Sequence, residues 1–181
     1  MAVVAAIATP IIISNVRSSE EEQKAAAAAR RIGCGPIEEE PDLPNEHVEP
    51  FAQGEDGVPA VGGNHSSALP PEPKVYTQQP PEENAVHNLE HGYVLVYYAA
   101  DGENALDEKF VTALEDLVND ETEVLMSPYE GLAKPLYLTA WGVRRGCDPP
   151  AGASTDDVVT GATGFIDEWK NGQFAPEAAA Q

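Results

Sequence analysis

The chain is expected to fold as a single α+β domain with a mixed sheet and helices, and three stretches lead there. "YVLVYY" (93–98) is a short apolar run of the kind that makes a strand buried on both faces. "NALDEKFVTALEDLVND" (104–120) sets Leu106, Phe110, Leu114 and Leu117 at helical spacing, with acids on the other side. "EVLMSPY" and "PLYLTAWG" are two more strand-like runs, separated by the turn-rich "YEGLAKP", and are expected to form a hairpin.

In chain order, the first element is apolar: "AVVAAIATPIII" carries no acid or base before Arg17. Roughly 20 apolar residues are needed to span a bilayer, so this run is short for a span, and Pro10 interrupts it. Residues 1–16 read as a signal-like or anchor segment, without a basic n-region or a clear cleavage site. "SSEEEQKAAAAARRIGCG" follows with the punctuation of a helix. Ser19 and Glu22 make a capping box, Arg30 and Arg31 fill the last turn, and Gly33 closes it. Residues 17–35 are therefore expected to form a stalk helix with little apolar surface to bury.

From Pro36 to Pro81 the chain is rich in Pro, Gly and Glu, a long irregular segment of the kind that is usually functional or disordered. Then "KVYTQ" reads as a strand, "PEENAVHNLEHG" as a short helix ended by Gly92, and 155–170 as a last helix whose core set is Val158, Val159, Phe165, Ile166 and Trp169. The resulting order, β-α-β-α-β-β-α, matches the thioredoxin-like order. The folded domain is expected over 36–177, with 178–181 as a tail.

Charge restricts the partners. Lys plus Arg number 10 against 31 Asp plus Glu, a formal charge of −21, so a nucleic-acid backbone would be repelled. The acid is spread along surface-type segments, which suits a hydrated domain in a salty or extracytoplasmic setting. Cys34 and Cys147 form no C-x-x-C, which excludes a thioredoxin-type redox pair and a thiolate zinc ribbon. In an exported domain they would form one disulfide; in a cytosolic one they would be buried thiols.

The four histidines carry the chemistry. His87 and His91 stand one helical turn apart on one face, a spacing that lets two imidazoles reach one cation. The other two, His47 and His65, lie in the irregular segment just upstream, which would have to pack near that helix. Four neutral imidazoles suit a borderline transition metal, with Cu(II) favoured over Zn(II) on intrinsic affinity. Met126 is an additional candidate ligand, since a thioether favours Cu(I), although a Met on a strand is more often a core residue. His87 through His91 also spell H-x-x-E-H, in which Glu90 would be the general base of a zinc hydrolase; Glu115 and Glu168 are available as a further ligand. Otherwise Glu90 is a carboxylate that holds a histidine tautomer. No G-x-S-x-G and no Gly-rich phosphate loop is present.

"VYTQQPPEENAVHNLEHGYVLVYY", "PLYLTAWG" with Cys147 shortly after, and "FAPE" near the end together resemble the bacterial family known as domain of unknown function 3105. The likeness covers most of residues 45–177. It implies a secreted or membrane-anchored protein with one N-terminal apolar segment, and joint use of four histidines. The family pattern has a histidine early in the irregular segment and another after P-P-x-S-G-P, and His47 and His65 stand at those places. Here "VPAVGGNHSS" keeps the second histidine without the Pro-Pro and Ser-Gly-Pro. The resemblance supplies no reaction. The expectation is thus a non-enzymatic, extracytoplasmic metal-binding domain, with copper first and zinc second. The alternatives are a zinc hydrolase and an interaction subunit of a membrane protein complex.

Overall fold

The structure, a computed structural model, describes residues 8–178, with side chains described from Ser19 onward. Its elements are α1 (Ala8–Arg31), β1 (Glu38–Glu39), α2 (Glu82–Glu90), β2 (Val94–Tyr98), α3 (Glu108–Asp120), β3 (Val124–Pro128), β4 (Leu136–Ala140), β5 (Val143–Cys147) and α4 (Thr155–Trp169). Together they form an α+β fold around one mixed five-stranded sheet in the order β1-β5-β4-β2-β3. The pair β2–β3 is parallel and the other pairs are antiparallel.

Both faces of the sheet are covered at its centre, which is why β2, β3 and β4 read as nearly continuous apolar runs. Alternate residues divide between two cores. Val94 and Val96 of β2, with Met126 of β3 and Leu138 of β4, face α3 and α4 through Phe110, Leu114, Val158, Phe165 and Ile166. Leu95 and Tyr97 of β2, with Leu125 and Tyr137, face α2 through Ala85, Val86 and Leu89. Asp107 caps α3 by accepting from the Lys109 N–H, and Ser154 caps α4 by accepting from the Asp157 N–H.

Three local expectations change. The runs 123–129 and 135–142 do not pair with each other: β2 lies between β3 and β4, and the hairpin is β4–β5, turning at Trp141-Gly142. A parallel β2–β3 pair lets the crossover helix α3 cover one face of the sheet, which a β3–β4 hairpin would leave open. "VRRGC" (143–147) becomes a strand despite its two arginines, because Arg144 is paired with Glu38 at 2.8 Å and Glu40 at 2.6 Å on the strand edge. "KVYTQ" contributes only one parallel bridge, Val75 to Met126; Pro73, Pro80 and Pro81 around it lack the donors a longer strand needs.

The N-terminal helix is also different. Among the described residues it runs from Ala8 through Ser19, so the capping box is not its start. Nor is it a free stalk. Its alanines pack on α4, with Ala25 against Gly164 and Ala29 with Ile32 against Gly161, and Arg31 pairs with Asp157 at 2.6 Å. Small residues let the two backbones approach, so low apolar content does not prevent docking. Cys34 and Cys147 form a disulfide that ties the end of α1 to β5. Residues 1–7 of the expected 1–16 segment and most of the 178–181 tail lie outside the described residues. Among the described residues no helix is long and apolar enough to cross a membrane.

Candidate metal centre

Helix α2 and the irregular segment share the sheet face opposite α3 and α4, and the histidines meet there. Glu82, at the start of α2, organises the meeting. Its buried carboxylate accepts from the Gly54 N–H (2.8 Å), the Ala60 N–H (2.9 Å) and the Tyr129 hydroxyl (3.0 Å). One side chain thereby holds the irregular segment, α2 and the end of β3 together. Burial and the Glu82 charge push the Tyr129 hydroxyl pKa upward, so it remains a donor.

The segment is then led along the first turns of α2. His65 N–H donates to the Glu46 carbonyl (3.1 Å) and Ser66 N–H to the Glu83 carbonyl (3.2 Å), which brings His47 and His65 to His87. Gly63, with φ +107, takes a conformation that side chains resist, and a Cβ there would collide with Ala52. Its carbonyl accepts from His65 Nδ1 at 2.9 Å. Trp141 meets the His65 ring edge-on, with centroids 5.8 Å apart.

The rings of His47, His65 and His87 lie 4.5–5.1 Å apart, centroid to centroid. Glu90 joins them: its Oε2 is 2.9 Å from His65 Nε2 and 3.6 Å from His47 Nε2. One nitrogen from each of these three histidines and one Glu90 oxygen all lie within 4.8 Å of one another. Donors around a tetrahedral ion with bonds of about 2.1 Å are about 3.4 Å apart, so side-chain shifts of about 1 Å would close the set on a cation. His65 and Glu90 are sealed from solvent, His87 is half-buried and His47 is exposed, so the site opens on one side.

Tautomers follow from the carbonyls. A carbonyl only accepts, so His65 Nδ1 facing Gly63 and His87 Nδ1 facing Ala68 (3.0 Å) each carry a proton. In both neutral rings Nε2 keeps its lone pair. Burial holds the His87 pKa below its ordinary value, the Ala68 hydrogen bond opposes this, and the neighbouring histidines add to the lowering. His87 is therefore neutral at neutral pH and competent as a ligand.

His91 stands beside this group. Its ring stacks on His87 with centroids 5.0 Å apart, and its Nδ1 is 3.7 Å from Glu177 Oε2. Glu90, His91 and Glu177 make a second set whose ligand atoms lie within 4.8 Å of one another. Met126 is not brought to the histidines: it is fully buried on β3 in the opposite core. Glu115 and Glu168 likewise sit on α3 and α4, across the sheet.

A family model described as a protein of unknown function (DUF3105) matches residues 55–181. The chain belongs to the DUF3105 family. No curated protein and no solved structure matches it. In this DUF3105 chain His65, His87, Glu90, His91 and Glu177 fall inside the matched stretch, and His47 precedes it. Sequence reasoning missed Glu82 and Glu177. Glu82 passes for an ordinary acid of a helix's first turn, and the only signal for Glu177 was its place in "FAPE".

Proposed function

We propose that this domain binds a transition-metal ion, copper first with zinc as the alternative, in a non-enzymatic role outside the cytoplasm. His47, His65 and His87 supply imidazoles and Glu90 a carboxylate. The observation that carries this reading is the pair of backbone carbonyls on Nδ1 of His65 and His87. Ligating histidines characteristically donate their second ring nitrogen to such a group, which fixes the ligating lone pair on the other nitrogen. Imidazole and carboxylate donors bind Cu(II) more tightly than Zn(II), which orders the two metals.

Convergence of three histidines also argues against the reading in which they only satisfy separate buried hydrogen bonds. The hydrolase reading needs Glu90 as a base open to water. Its side chain is 1% exposed and its oxygen already faces His65 and His47, which suits a ligand better. The Cys34–Cys147 disulfide supports an oxidising compartment, reached by secretion or by anchoring through the N-terminus. Metal analysis of the purified chain by mass spectrometry, with and without added copper and zinc, tests the proposal. One tightly held ion is expected, lost in the His65→Ala/His87→Ala double variant. Stoichiometric metal in that variant would place binding elsewhere.

A further inference from the structure

We infer that Glu90 bridges two cation positions, the second built from Glu90, His91 and Glu177. This rests on the proposed first site, because Glu90 is common to both. The two constellations meet at that one carboxylate, and each brings its ligand atoms within 4.8 Å of one another. A carboxylate has two oxygens and about four lone-pair sites, enough for a cation on either side. Two ions about 3.5–4 Å apart is the spacing at which paired metal sites operate.

Glu177 is held in place rather than drifting at a chain end. Its backbone N–H donates to the Glu90 carbonyl at 3.0 Å, and the Asn171 N–H donates to the Gly92 carbonyl at 2.8 Å. Between these anchors Phe174 stacks on Trp169, with centroids 5.9 Å apart and planes 20° apart. The segment after α4 is thus laid along the end of α2, and its last acid is set against His91. A Gly92 φ of +86 lets the chain turn there, and a Cβ at that position would strike Asn171.

Two carboxylates brought this close repel each other, in a chain whose formal charge is already −21. A cation between them removes the repulsion. The second set has two carboxylates and one imidazole, harder than the first, and its outer members are part-exposed: 27% for His91 and 44% for Glu177. That chemistry fits a divalent ion of the zinc class with water completing its shell, held more weakly than the ion at the first position.

The test is a Zn(II) titration of the intact, oxidised chain followed by native mass spectrometry. Wild type is expected to take two ions per chain, and Glu177→Gln and His91→Gln one each. Loaded with two Cu(II), the wild type is expected to give the electron paramagnetic resonance of a coupled pair, absent in Glu177→Gln. Saturation of wild type at one ion, two ions in both variants, or two uncoupled Cu(II) signals would overturn the bridge and leave the first site standing. Failure to retain any ion would overturn both.

Discussion

The Nε2 of His65 lies 2.9 Å from Oε2 of Glu90, and the two side chains are 0% and 1% exposed. Since Nδ1 of His65 is committed to the Gly63 carbonyl, the nitrogen facing Glu90 is the one without a proton in the neutral ring. A lone pair and a carboxylate repel, so a cation set between them would stabilise this contact.

Removing His65 deletes a fully buried ring and the donor to the Gly63 carbonyl. His65→Ala in chelator is therefore expected to lower stability by about 1–3 kcal/mol. Glu90→Gln keeps the size and removes the charge, so it should cost less. Urea unfolding of both variants measures this, and an unchanged midpoint for His65→Ala would show that the contact carries little.

Acid should release the metal. Imidazole ligates only when neutral, so affinity is expected to be steady above the ordinary histidine value of about 6.5 and to fall below it. Burial holds His87 below that value, so its own competition with the metal sets in only at lower pH. In the metal-free protein a lowered folded pKa means that the unfolded chain takes the proton more readily. The His87 contribution to stability is thus complete above about 6.5 and is lost as pH falls through its lowered value. Isothermal titration at a series of pH values reads the first effect; affinity rising toward acid would contradict it.

The metal should also depend on Glu82, which ties the irregular segment to α2 and Tyr129. Glu82→Gln cannot serve the Gly54 and Ala60 N–H donors and the Tyr129 hydroxyl as a charged acceptor does. A loss of about 1–3 kcal/mol in stability is expected, with weaker metal binding because His47 and His65 lose their setting. Denaturation and metal titration of one sample give both numbers. Reduced stability with unchanged affinity would show that the histidine segment is positioned without Glu82.

Reduction of Cys34–Cys147 opens a loop closed over a sequence separation of 113 residues. Chain entropy puts the cost at about 4–5 kcal/mol as an upper figure. The oxidised protein should show no free thiol when denatured, and a mass two units below the reduced form. Reduction should loosen the end of α1 first, visible as faster amide exchange around Ala28–Ile32. Two titratable thiols in unreduced protein would refute the bridge.

Much of the site was legible in the chain itself. With only four histidines present, a helical pair at His87 and His91 and two more just upstream already pointed to one cluster, and the strand and helix periods after Pro81 located the sheet and the helices α3 and α4. Local patterns report which face of an element is apolar, and little more. They did not decide that β3 runs parallel beside β2, because a run buried on both faces matches any neighbour equally well. They did not show α1 docked on α4, because an alanine surface reads as exposed until glycines on the facing helix admit it. Nor did they choose between Glu90 and His91. These residues are neighbours on one helical turn, and only the path of the irregular segment, pinned by Glu82 and by the carbonyl of Gly63, set His47 and His65 against the carboxylate and left His91 to Glu177.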